Sequence, residues 1–191
     1  MRSLRHSRLA TLLLGFGIVA SQVSAQAPDK PPVPSGKWGN AAIVAAGNNM
    51  FSMQTFEFNG DRWAIKYQAF ADPAGNVPLF TLDNSGVFAI GGPSAKVPGA
   101  WEGIFPQTRR NLTADSDAGV VMFAQMGCLL VKGQAKAVMQ QPCGFIAPLM
   151  QSMGEYDLVM IKEGQFFFGD RSGDLSKARP EKLNQFPMVQ K

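Results

Sequence analysis

The chain has 191 residues, of which 46% are hydrophobic and 17% charged, and its formal net charge is +4. It contains two cysteines, ten methionines and a single histidine, His6. His6 lies in a segment that we expect to be removed, so the mature protein has no imidazole. This excludes the Ser-His-Asp triad and histidine-based metal centres.

Residues 1–25 have the pattern of a secretory signal peptide. Arg2, Arg5 and Arg8 form the basic start, Leu9 to Ala20 form an apolar stretch, and Val23-Ser24-Ala25 is a small-residue cleavage site. The apolar stretch is shorter than the roughly 20 residues that a spanning helix needs. We therefore expect an exported protein, periplasmic or secreted, that does not span the membrane and is soluble after signal cleavage.

Removal of this leader changes the charge of the chain. Three of the 18 basic residues and none of the 14 acidic residues lie in it, which leaves a net charge of +1. Nucleic-acid binding normally requires a clustered basic face, and only Arg109 and Arg110 stand together. Nucleic acid is therefore not an expected partner.

The mature chain is expected to form one domain. Residues 26–35 contain four prolines and predict a spacer. Residues 36–191 are even in composition, without an internal repeat, and are numerous enough to bury one sizeable core.

The clearest strand signal is a hairpin around Asn59-Gly60, a dipeptide typical of two-residue type I′ loops. With that loop, Glu57 lies opposite Arg62 and Phe56 lies opposite Trp63. Charge pairing and apolar alternation then favour the same register. The apolar face of this hairpin consists of Phe56, Trp63, Ile65 and Tyr67.

Three further hairpins are predicted along the chain. Their strands and turns are Leu79 to Leu82 with Val87 to Ile90 around Asp83 to Gly86, Val120 to Val131 with Ala135 to Met139 around Lys132-Gly133, and Tyr156 to Ile161 with Gln165 to Phe168 around Glu163-Gly164. About eight short strands predict an all-β antiparallel barrel or sandwich. One short helix, Phe145 to Met153, is predicted to cap an opening.

Cys128 and Cys143 are the only cysteines, and the leader places them in an oxidising compartment. There is no C-x-x-C motif, so we expect a structural disulfide rather than a redox pair. On the chain-entropy model, closing this loop contributes about 3 kcal/mol of stability.

A closed barrel of about eight strands either fills its interior with side chains or holds one small ligand. The nine methionines outside the leader suit an irregular core as well as an adaptable apolar pocket. Composition alone leaves both readings open.

Two blocks of sequence carry a resemblance to a known family. They are Gly36-Lys-Trp38, Tyr67 to Pro73, Pro78 to Thr81, Gly86 and Gly91, and then Glu155 to Val159, Phe168 to Asp174, Arg179 to Lys182 and Phe186 to Val189. In order and spacing they resemble the adenomatosis polyposis coli down-regulated domain of membrane-tethered Wnt antagonists. The likeness covers nearly all of the mature chain as one domain copy.

The resemblance implies a lipocalin-like antiparallel β-barrel with an apolar cavity suited to an acyl chain. It also implies a structural cation–π contact, in which an arginine covers the tryptophan of the opening strand, here Trp38. Arg171 is the first candidate for that partner and Arg179 the second.

The chain departs from the family pattern in two ways. The family has cysteines near the positions of Ile43 and Gly75, and their joint loss is expected if they pair with each other. The chain is also expected to form one domain, without the transmembrane tail of the family members. We therefore carry over lipid binding and not the signalling role.

The predicted function is non-catalytic binding of a hydrophobic ligand, a fatty-acyl chain or related lipid, without a cofactor or a metal. Alternation alone orients the candidate pocket walls, which are Phe56, Trp63, Ile65, Tyr67, Phe80, Leu82, Phe88, Met122, Met160, Phe166 and Phe168.

Three alternatives stay open. The first is a fully packed barrel that binds a protein partner of the cell envelope. The second is a hydrolase that uses a carboxylate pair, Asp115 with Asp117 or Glu155 with Asp157. The third is Cu(I) binding by thioethers of the methionine pairs Met50 and Met53, Met122 and Met126, and Met150 and Met153. Separately, Asn111-Leu-Thr113 is a glycosylation sequon, used only if the host glycosylates such sites.

Overall fold

The computed structural model describes residues 30–151 and 153–191. The predicted leader, residues 1–25, and the first four residues of the predicted spacer lie outside these ranges. None of the helices in the described ranges is long and apolar enough to cross a membrane.

The described residues form twelve β-strands and one α-helix, and every strand pair is antiparallel. The helix is α1 (Asp117–Gln125). The all-β antiparallel fold expected from the sequence is confirmed. The strands are β1 (Gly36–Asn40), β2 (Val44–Gly47), β3 (Met50–Asn59), β4 (Arg62–Phe70), β5 (Pro78–Val87), β6 (Ala89–Pro93), β7 (Trp101–Ile104), β8 (Gln107–Ala114), β9 (Lys136–Ala137), β10 (Tyr156–Lys162), β11 (Gln165–Phe168) and β12 (Met188–Gln190).

Two long, bent strands join the sheet into a ring. One consists of β5 followed directly by β6, and the other of β7 followed directly by β8. Together they form one long hairpin that pairs Gly86 with Gln107 and Ala89 with Ile104. β5 pairs with β4 on its other edge, whereas β7 pairs with β10. The ring therefore has eight members, in the order β1, β3, β4, β5–β6, β7–β8, β10, β11 and β12, and β12 pairs again with β1.

The ring is complete at one end of the barrel and open at the other. At the open end β8 pairs with β9 instead of β10, and β3 pairs with β2 instead of β1. No ladder joins β2 to β9 among the described residues. The sheet is therefore a barrel at its closed end and a curled trough at its open end.

Aromatic side chains fill the closed end. Phe168 lies 4.7 Å from both Phe56 and Phe166, measured between ring centroids. Trp38 packs on Phe166 at 5.7 Å, and its indole Nε1 donates a hydrogen bond to the carbonyl oxygen of Ser35 at 2.9 Å. The cluster consists of Trp38, Phe56, Phe58, Trp63, Phe88, Phe105, Val159, Phe166, Phe168 and Met188.

Helix α1 and a disulfide loop cover the open end. The Oγ of Ser116 caps the helix by accepting from the backbone N–H of Gly119 at 3.2 Å. Cys128 and Cys143 form the expected disulfide, with their Cα atoms 5.0 Å apart. The second cluster lies beneath them and consists of Ala69, Leu79, Phe80, Leu112, Ala114, Phe123, Cys128, Leu130, Val138, Cys143 and Ile146.

The sequence predicted the wrong element in this region. The segment predicted as a strand, Val120 to Val131, begins inside α1, because the Ser116 cap and Asp117 start a helix. The described residues of the predicted helix, Phe145 to Met153, contain only a 3₁₀ turn at Leu149–Gln151. Cys143 and Ile146 bond each other through their backbones instead, at 3.0 Å in both directions.

The first hairpin is present, but its loop is one residue further along than predicted. Asn59 pairs with Arg62 and Phe58 with Trp63, so the two-residue loop is Gly60-Asp61. Glu57 therefore lies opposite Ala64, and the predicted Glu57–Arg62 pairing is wrong. Moving the loop by one residue changes each cross-strand partner by two, so the predicted apolar face is unchanged.

The predicted turn at Asp83 to Gly86 is also wrong, because these residues lie within β5. Gly86 has a different role there. A Cβ at this position would overlap the backbone carbonyl of Pro106 in the bend between β7 and β8. Its lack of a side chain therefore allows the two bent strands to approach each other. The last predicted hairpin is confirmed, with Glu163 and Gly164 at φ values of 53° and 74° in its turn.

We predict that Gly86→Ala destabilises the fold by about 1–3 kcal/mol, because the added methyl group must displace the Pro106 carbonyl. Gly92→Ala is the matched control, since a Cβ at Gly92 meets no atom within 4 Å. Chemical unfolding of both variants measures the difference. Equal stabilities of the two variants would contradict the proposed packing of the bend.

Candidate functional site

A cavity of about 260 Å³ lies inside the barrel, between the aromatic cluster of the closed end and the cluster beneath α1. Its apolar walls consist of side chains from the closed-end cluster, such as Phe56 and Phe168, and of side chains that pack against the cluster beneath α1, such as Tyr67 and Leu82. The cavity also has a polar side that reaches solvent, because the side chain of Arg171 is 35% exposed. The lining residues are Gln54, Phe56, Trp63, Ile65, Tyr67, Leu82, Asn84, Phe105, Gln107, Glu155, Phe168 and Arg171.

Six of the eleven predicted pocket residues line this cavity. They come from four strands, because inward-facing side chains alternate along β3, β4, β5 and β11. The six are Phe56, Trp63, Ile65, Tyr67, Leu82 and Phe168.

The other five lie elsewhere. Phe88 and Phe166 are packed into the closed-end cluster, and Phe80 into the cluster beneath α1. Met160 pairs with Phe167 and not with Phe166 or Phe168, so it lies on the outer face of the sheet. The prediction that Met160 faces inward is wrong. Its neighbours Val159 and Ile161 pack inward, and because side chains alternate along a strand, Met160 faces outward.

Met122 lines a different, apolar cleft on the outside of the open end. This cleft has a volume of about 520 Å³ and is bounded by α1, the start of β3 and Phe145. Met50 and Met126 line it as well, so members of two of the predicted methionine pairs meet there. No group of three or more His, Cys, Asp or Glu side chains with the arrangement of a metal site occurs in the described part of the chain.

A chain of hydrogen bonds runs along the polar side of the cavity, and its members Gln107, Glu155 and Arg171 line the cavity itself. Arg110 Nη2 donates to Gln107 Oε1 at 2.7 Å, and Gln107 Nε2 donates to Glu155 Oε1 at 2.8 Å. Arg171 forms ion pairs with Glu155 and with Asp157 Oδ2, the latter at 2.6 Å. The two arginines and the two carboxylates balance in charge, so the polar side is neutral when all four are ionised.

Asp157 is the most deeply buried member of this network, with no exposed surface. Its Oδ1 accepts from the backbone N–H groups of Leu158 and Gly169, both at 2.8 Å. Burial raises the pKa of Asp157 to about 6, against the opposing effects of Arg171 and of these backbone bonds. The bonds from Gly169 and Arg171 to Asp157 hold the segment that follows β11 beside the cavity.

Two buried polar atoms at this site have no hydrogen-bond partner among the described residues. They are Asn84 Oδ1 and Arg110 Nε. The two residues lie directly opposite each other in the β5–β8 ladder. Arg110 is only 6% exposed, and burial lowers the pKa of its guanidinium.

The arginines that the family resemblance assigned to Trp38 contact other rings. The guanidinium of Arg171 lies 5.7 Å from the centre of the Phe168 ring, and that of Arg179 lies 5.3 Å from the centre of the Tyr156 ring. Arg179 also donates to the carbonyl oxygens of Gly103 and Asp157, both at 2.6 Å. The expected contact with Trp38 is therefore corrected, because buried carboxylate and carbonyl oxygens hold both guanidinium groups at another part of the barrel.

The carboxylates considered for catalysis are held by other groups. Asp115 Oδ2 accepts from the hydroxyl of Thr81 at 2.7 Å, and Asp117 forms an exposed ion pair with Lys132. Glu155 and Asp157 both bind Arg171.

Sequence reasoning missed the three amide side chains of the site, Gln54, Asn84 and Gln107. Gln54 and Asn84 continue the inward alternation of Phe56 and Leu82, so the pattern could have identified them. Gln107 gave no such signal, because the β5–β8 register shifts between Ser85 and Gly86 and interrupts the alternation.

We predict a pH dependence of stability that comes from Asp157. Its folded-state pKa of about 6 lies above the ordinary value of 3.8, so between these values the folded state retains a proton that the unfolded chain has lost. This group therefore lowers the free energy of unfolding as pH rises, by at most about 1.4 kcal/mol per pH unit. Chemical unfolding from about pH 4 to about pH 7 should show this slope in the wild type and its loss in Asp157→Asn. Parallel pH profiles would refute it.

Comparison with known proteins identifies no family for this chain. No protein-family model matches the sequence, and no curated protein is significantly similar to it. The resemblance to the adenomatosis polyposis coli down-regulated domain rests on the quoted residues alone.

Proposed function

We propose that the protein is an exported, non-catalytic binding protein that holds a small hydrophobic ligand, a fatty-acyl chain or a related lipid, inside its barrel. The observation that carries this proposal is the interior cavity. Seven of its twelve lining residues are aromatic or aliphatic and five are polar, which is the usual mixed composition of a small-molecule site.

The volume of the cavity limits the ligand. An apolar cavity of about 150 Å³ holds a benzene-sized molecule. A volume of about 260 Å³ therefore suits one alkyl chain of medium length or a small ring system, and is too small for a lipid with two long chains. Part of a longer chain would have to extend past Arg171, where the cavity reaches solvent.

The polar side supports binding rather than catalysis. Both oxygens of Asp157 are occupied, by two backbone N–H groups and by Arg171. Glu155 is held between Gln107 and Arg171. A general base must be free to reach the proton that it takes, and both carboxylates are already engaged.

Two features support export. Residues 1–25 have the pattern of a signal peptide, and the Cys128–Cys143 disulfide is of a kind that persists in oxidising compartments.

The ligand is tested with protein isolated from its native compartment. Mass spectrometry under native and denaturing conditions, with organic extraction, should show one co-purifying lipid or other apolar molecule per chain. Tyr67→Lys should abolish this occupancy, because it places a charge in the cavity wall. Gln68→Lys is the matched control, since Gln68 neighbours Tyr67 on β4 and faces away from the cavity.

The proposal fails if the protein carries no ligand and gains none on incubation with medium-length alkyl compounds. It fails equally if folded Tyr67→Lys retains the same ligand as the wild type. Circular dichroism and thermal unfolding establish whether both variants are folded.

One observation favours the rival function, a barrel that binds a protein partner. Apolar side chains are exposed near α1 and the disulfide loop, including Leu129 at 78% and Val131 at 59%. Clusters of this kind mark interaction surfaces. An empty barrel interior, together with loss of a copurifying protein in Leu129→Ser, would favour this function over ligand binding.

A further inference from the structure

We infer that the open end of the barrel docks on a phospholipid bilayer that carries anionic headgroups. The contact is made by exposed apolar side chains of α1 and of the chain around the disulfide, which we call the open-end surface. This inference goes beyond the proposed function, because it concerns the outside of the barrel and requires no ligand in the interior. The open-end surface consists of Val121, Met126, Leu129, Val131 and Phe145, with Lys136 beside Leu129.

The open-end surface projects from a packed base. Leu129 and Val131 are exposed, whereas Leu130 between them is buried in the cluster beneath α1. On the helix, Val121 is exposed and Phe123 is buried in the same cluster. The exposed side chains therefore point away from a core that is already filled without them. Contiguous apolar side chains of this kind mark a contact surface.

The open-end surface continues into the apolar cleft of about 520 Å³. Met126 and Phe145 line this cleft and are also exposed on the surface. The eight residues that line the cleft include no charged side chain. The apolar area at the open end is therefore larger than the exposed side chains of α1 and the disulfide loop alone.

The distribution of charge favours an anionic partner. Residues 118–154 contain no acidic residue and two basic ones, Lys132 and Lys136. Residues 30–117 and 155–191 together contain thirteen acidic and thirteen basic residues. The net positive charge of residues 30–191 therefore comes entirely from the segment that carries the open-end surface.

Lys136 is placed to contact headgroups. Its Nζ donates to the backbone carbonyl oxygen of Leu129 at 3.3 Å, and it forms no ion pair within the part of the chain that the structure describes. A leucine that projects beside a lysine can enter the acyl region while the ammonium group stays among the headgroups. Lys132 is less available, because it pairs with Asp117.

The carboxylates nearest to this surface are engaged or lie at the other end of α1. Asp115 and Asp117 lie at the start of the helix, about 12 Å from its last residue. Asp115 accepts from Thr81, and Asp117 pairs with Lys132. Asp72, in the turn between β4 and β5, accepts from three backbone N–H groups of that turn.

The residue types favour a bilayer over a protein partner. Residues 118–154 contain no Trp, Tyr or Arg, the side chains that contribute most of the binding energy at protein interfaces. The exposed side chains are instead Leu, Val, Met and Phe, which enter an acyl region without needing hydrogen-bond partners. Anionic headgroups supply the charge that complements Lys136.

The test is sedimentation of the mature protein with two kinds of vesicle, one of phosphatidylcholine alone and one that also contains phosphatidylglycerol. The protein should bind the anionic vesicles about fivefold more tightly, because one lysine near an anionic surface contributes roughly this factor. The difference between the two vesicles should shrink at high salt, since ions screen the exposed charge.

The apolar part of the contact is tested by the double variant Leu129→Gln with Val131→Gln. Its affinity for both vesicles should fall by about tenfold or more, because two side chains no longer enter the acyl region. Val33→Gln with Val87→Gln is the matched control, since both valines are exposed and lie outside residues 118–154. The control should bind as the wild type does.

The charged part of the contact is tested by Lys136→Gln. This variant should lose about fivefold in affinity for the anionic vesicles and nothing for phosphatidylcholine alone. Lys162→Gln is the matched control, because it removes the same charge from the β10–β11 hairpin. It should keep the wild-type preference. Circular dichroism and thermal unfolding establish that every variant is folded.

The outcomes separate this inference from the proposed function. Failure of the wild type to sediment with either vesicle would overturn the inference and leave the open-end surface to a protein partner. Equal affinity for the two vesicles, or unchanged binding by the folded Leu129 and Val131 variant, would also overturn it. Tyr67→Lys, which alters the cavity wall, should still bind vesicles, and its failure to do so would place the lipid contact in the interior instead. An empty barrel, by contrast, would overturn only the proposed function.

Discussion

The barrel depends on one tryptophan, Trp63, whose hydrogen bonds hold the bend of β5–β6 against the bend of β7–β8. The indole Nε1 of Trp63 donates to the carbonyl oxygen of Val87 at 2.9 Å and to that of Pro106 at 3.3 Å, and these carbonyls mark the bends of β5–β6 and β7–β8. At the same place Gly86 lets the backbone of Pro106 approach. Because the hairpin bends here, one half pairs with β4 and the other half with β10. The ring closes only through this change of partner.

The same bends explain why the barrel contains a cavity. Aromatic rings pack at the closed end and α1 with the disulfide loop covers the open end, so the two clusters form separately. Phe105, at the second bend, belongs to the closed-end cluster and also lines the cavity. The interior between the clusters is bounded by Tyr67 and Leu82 on one side and by the Gln107, Glu155 and Arg171 network on the other. A site with one polar side is what an amphipathic ligand requires.

The sequence was sufficient for the all-β antiparallel fold, the disulfide and most of the apolar wall, because alternation and turn residues are local signals. It failed where tertiary contacts decide the structure. Gly86 was predicted to lie in a turn, but it lies in a strand, where its lack of a side chain lets the backbone of Pro106 pack closely against it. Val120 was assigned to a strand, although the cap at Ser116 places it in α1. Arg171 was expected over Trp38 and instead binds two carboxylates from β10 and the residues just before it. Such long-range pairings have no signature in the order of residues along the chain.

The most direct test of the account is a crystal structure of the mature protein isolated from its native compartment. We expect electron density for one alkyl-bearing molecule inside the barrel, against Tyr67 and Leu82. Collapse of the surrounding side chains into this space, or ordered water alone in protein that has been supplied with the ligand candidates, would contradict the central claim that the interior of the barrel is a binding site.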